Sequence, residues 1–218
     1  MRNYIRKAAF GLREVFGEVR SHGWRRGLVS MGNVLWKRSS SVLYRRTTVS
    51  EDIPVPEGVR IVRVDPDRPD VPLGDILAAG AGSDVRYLKQ GATCYLAYLD
   101  DAPVSLGWAF PGSYLLRRAR LERDAMYLGG FHTIEAARGR GLYPLLLKFM
   151  CANQGVQERI CYVDAEPDNH ASLRGIEKAG FHKVGFLKAH VLAGIILRCR
   201  IVTDRSSQAG CATTGPPR

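Results

Sequence analysis

One stretch constrains this chain more than any other: the segment EAARGRGLYPLLLKFM, residues 135–150. Gly139 and Gly141 stand one residue apart among arginines and lead directly into a leucine-rich run whose apolar residues recur at the offsets of one helix face. A glycine-rich turn that opens a helix leaves N–H groups unpaired at the positive end of the helix dipole, and glycine lets a ligand approach the backbone closely. The segment therefore predicts a phosphate-binding turn. A tight turn with two solvated arginines is the alternative.

Short β-type runs alternate with helical ones on both sides of this turn. The pattern predicts strands over residues 59–64, 93–99, 103–110, 125–134, 159–165, 183–190 and 193–201. It predicts helical segments over 70–90 (with a break near 80–83), 141–154 and 169–179. Such an order is typical of a mixed α/β sheet with helices on both faces.

The basic charge is concentrated at one end of the chain. Residues 1–50 carry eleven arginines and lysines against Glu14 and Glu18, which is +9 of the net charge of +11. We interpret 1–50 as a basic, helical and amphipathic N-terminal arm, 51–58 as a linker, 59–202 as one domain and 203–218 as a disordered tail. An anchor lying in an anionic membrane interface would explain the arm. Helices that pack on the domain, with their charges in solvent, would explain the arm equally, and both interpretations stay open.

Other features limit the partners and the compartment. No recognised nucleic-acid module accompanies the charge, so nucleic-acid binding is not expected. Five cysteines without paired or metal-ligand spacing favour a reducing, cytoplasmic setting and predict no metal site. No apolar run is long enough to span a bilayer, so any membrane association would be peripheral, at the inner face of the membrane through the arm. A homodimer is left open.

Two motifs carry a resemblance to a known family. ARGRGLYPLLL resembles the R-x-x-G-x-G/A pyrophosphate loop of the GNAT superfamily of acyl-CoA N-acyltransferases, through Arg138 and Gly141. EPDNHASLRGIEKAGF resembles a later helix of that superfamily, through Asn169 and Gly180-Phe181. The resemblance covers roughly residues 59–202. It implies a GNAT-like fold with a mixed, mostly antiparallel central sheet.

The resemblance also implies a site. The backbone of Thr133 and Ile134 would place an acyl thioester, and Asn169 would contact the pantetheine arm of coenzyme A. The amides from Ala137 to Tyr143 would hold its pyrophosphate, in a loop made of Arg138, Gly139, Arg140, Gly141, Leu142 and Tyr143. The sequence departs from the superfamily pattern at two positions: Tyr143 replaces a small residue, and Ile176 stands where a tyrosine often acts as an acid.

The catalytic candidates are few. His132 could take a proton from an incoming amine near neutral pH. Asp124, with Glu122 close by, is the alternative base, at the beginning of the same predicted strand.

The function implied is transfer of an acyl group, most simply acetyl, from acetyl-CoA or another acyl-CoA to a primary amine, by direct attack in a ternary complex. The acceptor would be a small molecule such as an amino sugar, or a lipid-linked amine near the membrane. A protein or peptide amine is the other choice. Two alternatives remain: an acyl-CoA-binding or scaffold protein that has lost the chemistry, and a transferase of long-chain acyl groups.

Overall fold

The computed structural model describes residues 36–47, 51–67, 73–79, 84–153, 159–192 and 195–203. The chain divides into two compact units, one formed by residues 42–184 and the other by residues 1–41 together with 185–218. Among the described residues, no helix is long and apolar enough to cross a membrane.

The strands are β1 (Trp36–Thr47), β2 (Val59–Val64), β3 (Thr93–Leu99), β4 (Ala102–Pro111), β5 (Met126–Thr133), β6 (Ile160–Ala165), β7 (His182–Leu192) and β8 (Ile195–Val202). The α-helices are α1 (Leu73–Ala78), α2 (Tyr114–Ala119), α3 (Leu142–Ala152) and α4 (His170–Lys178). Short 3-10 helices span Asp84–Gln90 and Glu135–Ala137.

In the unit of residues 42–184, the strands follow the order β2-β3-β4-β5-β6-β1. All neighbours in this order are antiparallel except β5 and β6, which run parallel and are joined by the crossover helix α3. In the other unit, β7 and β8 form an antiparallel hairpin in which Phe186 lies opposite Val202. The predicted mixed, mostly antiparallel α/β sheet is confirmed.

Alternation along β3 shows that helices cover both faces of the sheet. Leu96 belongs to a buried cluster that includes Ile76 of α1 and Trp108 of β4. Tyr95 points to the opposite face. There its ring meets the ring of Phe149 on α3 edge-on, and its hydroxyl donates to the carbonyl of Asn153 just after that helix. The prediction of helices on both faces is therefore confirmed.

The predicted domain boundary needs a correction at β1. The last residues of the segment interpreted as the arm, 42–47, pair antiparallel with 160–165 of β6. Val42, Leu43 and Tyr44 are buried there. Sequence reasoning missed this strand because its apolar core is three residues long and lies between a serine run and a basic pair, which read as solvated arm. The predicted linker 51–58 has no helix or strand.

The chain forms α2 between β4 and β5, in a segment for which no element was predicted. Residues 1–35 of the arm interpreted as helical and amphipathic, and residues 204–218 of the predicted tail, lie outside the described residues.

Candidate active site

The site is built on a fork between β5 and β6. The two strands pair only from Met126 to Leu128 of β5, opposite Cys161 to Val163 of β6. From Gly129 onward β5 keeps its pairing with β4 alone, up to Thr133 opposite Ser105. Peptide groups of β5 that face away from β4 therefore have no strand partner in this half. An unpaired strand edge offers N–H groups to a ligand.

A bulge in β5 lies within the unpaired half. His132 is opposite Leu106 and Gly129 is opposite Trp108, so two residues of β5 face the single residue Gly107. Gly130 takes a φ of +63°, in the left-handed region. At the bulge, the Phe131 ring packs directly against Gly107, which leaves no room for a Cβ at residue 107. Bulges of this kind re-aim side chains near functional sites.

The glycine-rich turn supplies a row of free amides. Gly139 and Gly141 have φ values of +79° and +75°, and a Cβ built on either would meet nothing within 4 Å. Gly141 is the N-cap of α3 and has no side chain to cap the helix. Within the described chain, no acceptor is recorded for the N–H groups from Gly139 to Tyr143. The amides of Ala137 and Arg138 are already bonded to carbonyls of the preceding turn. Of the amides predicted to form the cradle, those of residues 137 and 138 are therefore occupied, and the prediction is left with residues 139–143.

The opposite wall comes from α4. Asn169 is its N-cap, and its Oδ1 accepts from the N–H of Ser172 at 3.1 Å. The helix approaches α3 closely because Gly175 has no side chain: a Cβ there would be 2.5 Å from the ring of Tyr143. That ring also meets Phe131 edge-on, with centroids 5.0 Å apart. These contacts fix Tyr143 between the two helices and the end of β5.

These elements enclose a cavity of about 640 Å³, a size typical of small-molecule sites. Its wall consists of Phe131, His132, Thr133, Ala137, Arg138, Gly139, Gly141, Leu142, Tyr143, Pro144, Asn169, Ala171, Ser172, Arg174, Gly175 and Lys178. The wall contains three cationic side chains and no carboxylate. Cationic groups together with free amides at a helix N-terminus are the chemistry of a phosphate-binding site.

His132 is half-buried in this wall with one ring nitrogen occupied. Its Nδ1 is hydrogen-bonded to the carbonyl oxygen of Ala79. A carbonyl can only accept, so Nδ1 must carry the proton, and in the neutral ring Nε2 keeps the lone pair. The structure thus leaves His132 with one nitrogen able to accept a proton.

A network of tyrosines and one carboxylate lies where β5 and β6 separate. The hydroxyl of Tyr127 donates to Oδ1 of Asp164 on β6. Burial, and then the charge of Asp164, raise the pKa of Tyr127 well above its usual value. Burial and the same charge also raise the pKa of Tyr143. Both phenols therefore stay protonated at neutral pH and can only donate or accept hydrogen bonds there.

Some predicted site residues are not brought to the cavity. The N–H of Ile134 donates to the carbonyl of Val104, and its side chain packs on a small cluster with Leu142. Asp124 is exposed and lies nine positions before Thr133. The seven steps from Met126, the first residue of β5, to Thr133 alone span about 23 Å at about 3.3 Å each. Glu122, at that same far end, accepts from Tyr162 at 2.6 Å. Arg140 is exposed and outside the wall.

Sequence reasoning missed two cationic groups of the wall, Arg174 and Lys178 of α4. They belong to a stripe with Ala171 and Gly175, at offsets of three, four and seven residues, so all four share one helix face. This spacing of small and cationic residues is the sequence signal that could have identified the two cationic groups. Ile176, at the position where the resemblance leads one to expect a tyrosine, is fully buried and absent from the wall.

Neither models of protein families nor curated protein sequences match this chain. Solved structures are similar in fold. The match to a Drosophila protein covers 78% of this chain and 57% of the Drosophila chain, at 14% identity and with a TM-score of 0.50. A GCN5-related N-acetyltransferase from Kribbella flavida covers 78% and 63% at 15% identity, with a TM-score of 0.47. A GCN5-related N-acetyltransferase-like protein from Streptococcus suis covers 78% and 68% at 14% identity, with a TM-score of 0.48.

The likeness concerns the fold alone, and this chain spans less than two thirds of the Kribbella protein's length. The mixed, mostly antiparallel sheet that the resemblance implies is confirmed: a parallel pair joined by a crossover helix lies in an otherwise antiparallel sheet.

Proposed function

We propose that this chain is an acyl-CoA-dependent N-acyltransferase, moving an acetyl or other acyl group from coenzyme A to a primary amine by direct attack. The observation that carries the proposal is the wall of the cavity: free amides of residues 139–143, three cations and no carboxylate, beside the unpaired edge of β5. This combination suits a ligand with a pyrophosphate at one end and a polarisable carbonyl at the other.

The residues present fit coenzyme A, which would supply the activated acyl thioester. The amides from Gly139 to Tyr143 would bind the pyrophosphate, with Arg138, Arg174 and Lys178 balancing its charge. The free edge of β5 near Thr133 would polarise the thioester carbonyl. Holding both reactants in place supplies much of the rate for such a transfer.

His132 would manage the proton of the acceptor. As nitrogen attacks the thioester carbon, the C–S bond breaks and the amine must lose a proton. The lone pair on Nε2 of His132 accepts it, while the bond from Nδ1 to Ala79 keeps the ring in that tautomer. A thiolate is a tolerable leaving group near neutral pH, so the buried Ile176 does not prevent the transfer.

A second candidate is favoured by the same Ile176: a protein that binds acyl-CoA without transferring the acyl group. In both proposals the loop binds coenzyme A, but only the transferase acetylates an amine. Incubating the protein with acetyl-CoA and a panel of amino sugars, polyamines and peptides separates them. Free thiol released in step with an acetylated amine supports the transferase, and binding without any product supports the second candidate.

Binding of coenzyme A is tested first, by calorimetry on the full chain. Gly141→Ala places a Cβ on the proposed phosphate cradle, but it also strains a residue at φ +75°. Gly91→Ala is the matched control, since Gly91 has a φ of +80°, equally open surroundings and no place in the wall. Each change costs about 1–2 kcal/mol of stability, and only Gly141→Ala should weaken the affinity, by about tenfold or more. Equal affinities for the two variants would refute the cradle.

A further inference from the structure

A second cationic cavity lies at the other end of β5. It has a volume of about 690 Å³ and is lined by Gly112, Arg117, Arg120, Leu121 and Arg123, from α2 and the turns before and after it. All three arginines are exposed. The wall contains no carboxylate.

The backbone that carries these arginines is firmly held. Ser113 caps α2 by accepting from the N–H of Leu115 at 3.3 Å, and Leu116 anchors the helix in the core. At the other end, the N–H of Arg120 and that of Leu121 bond back to α2 carbonyls. Arg120 takes φ +59°, a conformation in which glycine is the usual residue at the end of a helix. The position retains a guanidinium at some conformational cost.

The three guanidinium groups differ from several other arginines of the described chain, which have partners. Arg46 pairs with Glu51, Arg63 pairs with Asp65, and Arg118, also on α2, lies over the ring of Tyr114. Among the described residues, neither an ion pair nor a hydrogen bond is recorded for the side chains of the three that line the cavity. They therefore do not serve to bond the carbonyls at the end of α2. Three like charges around one cavity repel one another, and an anion there would relieve the repulsion.

We propose that this cavity binds a phosphate group. Guanidinium groups match the geometry of phosphate oxygens and bind them bidentately. The phosphate could belong to a dissolved phosphorylated molecule or to a lipid headgroup, and the chemistry is shared by both.

The position of the cavity suggests its use in the proposed acyl transfer, on which this step rests. The arginines precede Met126, and His132 lies six residues later on β5. That separation corresponds to about 20 Å along a strand. A molecule that placed its amine beside His132 and a phosphate among the arginines would have to be extended. The cavity would then select extended, phosphate-bearing amines over compact ones.

The test compares two variants of the full chain. Arg117→Gln with Arg123→Gln removes two charges from the cavity wall and leaves the backbone of Arg120 unchanged. Arg118→Gln removes a neighbouring charge of α2 that lies outside the wall. Inorganic pyrophosphate is titrated calorimetrically into protein saturated with coenzyme A, which occupies the other cationic cavity. If the chain does not bind coenzyme A, the same variants are compared without it, so failure of the proposed function does not prevent the test.

We expect the double variant to bind pyrophosphate at least about tenfold more weakly than the parent chain, because charge-assisted hydrogen bonds are lost. Arg118→Gln should match the parent. Equal binding by the double variant, or an equal loss in Arg118→Gln, would overturn the site. All the substituted residues are exposed, and thermal unfolding checks that the variants are folded.

The source of the phosphate is separated by sedimentation with phosphatidylcholine vesicles, with and without phosphatidic acid. If the double variant, but not Arg118→Gln, loses binding to the acidic vesicles, the ligand is a headgroup. If the two variants differ only toward pyrophosphate, the ligand is a dissolved phosphate. The vesicle assay is read only when the pyrophosphate titration has separated the two variants, and without that separation the proposal is wrong.

Discussion

The two halves of β5 belong to one strand and differ in what borders them. Residues 126–128 are hydrogen-bonded to β4 on one side and to β6 on the other, and the Tyr127 hydroxyl is bonded to Asp164. Residues 129–133 keep only β4, and the cavity wall begins among them, at Phe131. The closed half stabilises the sheet, whereas the open half exposes polar groups that a ligand can use. A single strand thus provides both rigidity and a binding edge.

The largest effect is expected from removing β1, the strand that pairs with β6 on the side away from β5. β6 in turn pairs with the closed half of β5. A chain beginning at residue 51 would lose the buried side chains of Val42, Leu43 and Tyr44, each worth about 1.5–3 kcal/mol. Together these approach the whole stability of a typical domain. We expect this chain to be unfolded, and one beginning at residue 36 to give a cooperative thermal transition.

The same pair of chains also tests the arm. Residues 1–35 carry seven basic and two acidic residues, a net charge of +5, since four of the basic residues assigned to the arm lie on β1. If the arm anchors the protein to anionic vesicles, the chain beginning at residue 36 should sediment with them less than the full chain does, and salt should weaken the full chain's binding. If that shorter chain aggregates instead, the alternative of an arm packed on the domain is favoured.

The next largest effect concerns His132 in the open half. His132→Ala should lower kcat by about 100-fold or more, because the proton acceptor is lost. The affinity for coenzyme A should stay within a few-fold, since the loop is unchanged. The acid limb of the pH–rate profile should flatten in this variant. A profile of the same shape as the parent's would assign His132 to packing, through its bond to Ala79.

Two tyrosines sharpen the comparison, because Tyr127 belongs to the closed half of β5 and Tyr143 lines the cavity beside the open half. Tyr127→Phe removes the bond to Asp164 in the closed half and should lower the free energy of unfolding by about 1–3 kcal/mol, with coenzyme A affinity unchanged. Tyr143→Phe alters only the hydroxyl of a ring that lines the cavity, so stability should change little and activity should fall. Urea denaturation measures the stability of both variants, calorimetry measures their affinity for coenzyme A, and release of free thiol measures their activity. The reverse pattern would contradict the division of the strand.

The smallest effect is a dependence on alkaline pH. The pKa of Tyr127 is raised in the folded state, first by burial and then by Asp164, so the folded protein keeps this proton while the unfolded chain releases it above about pH 10. The stabilisation is complete below that pH and declines as the pH rises further, by at most about 1.4 kcal/mol per pH unit from this residue. Tyr127→Phe should therefore show a shallower decline between pH 10 and 11. Equal slopes would mean that Tyr127 ionises alike in both states.

The motif residues show how far sequence reasoning reached into the site. Gly139 and Gly141 were predicted from a local requirement for glycine, and both take a positive φ. Asn169 was assigned from the resemblance alone, and the structure makes it the N-cap of α4. His132 was predicted as the candidate base; the structure places it in the cavity wall, and its role stays a prediction. The roles given to Ile134 and Asp124 depended on residues far away in the chain. The amide of Ile134 donates to the carbonyl of Val104, and the length of β5 separates Asp124 from the cavity.

By itself, the sequence determined the succession of strands and helices from Val59 onward, apart from α2, and the glycine-rich turn before α3, because each depends on the periodicity and backbone preferences of neighbouring residues. Only the tertiary structure decided that β1 joins the sheet, that β5 and β6 part after Leu128, and that α4 lends Arg174 and Lys178 to the wall. Those features depend on partners far away in the chain: residues 42–47 pair with residues 160–165, more than a hundred positions later. Local patterns carry no record of such pairings, because hydrogen bonds between strands form from backbone groups that every residue has.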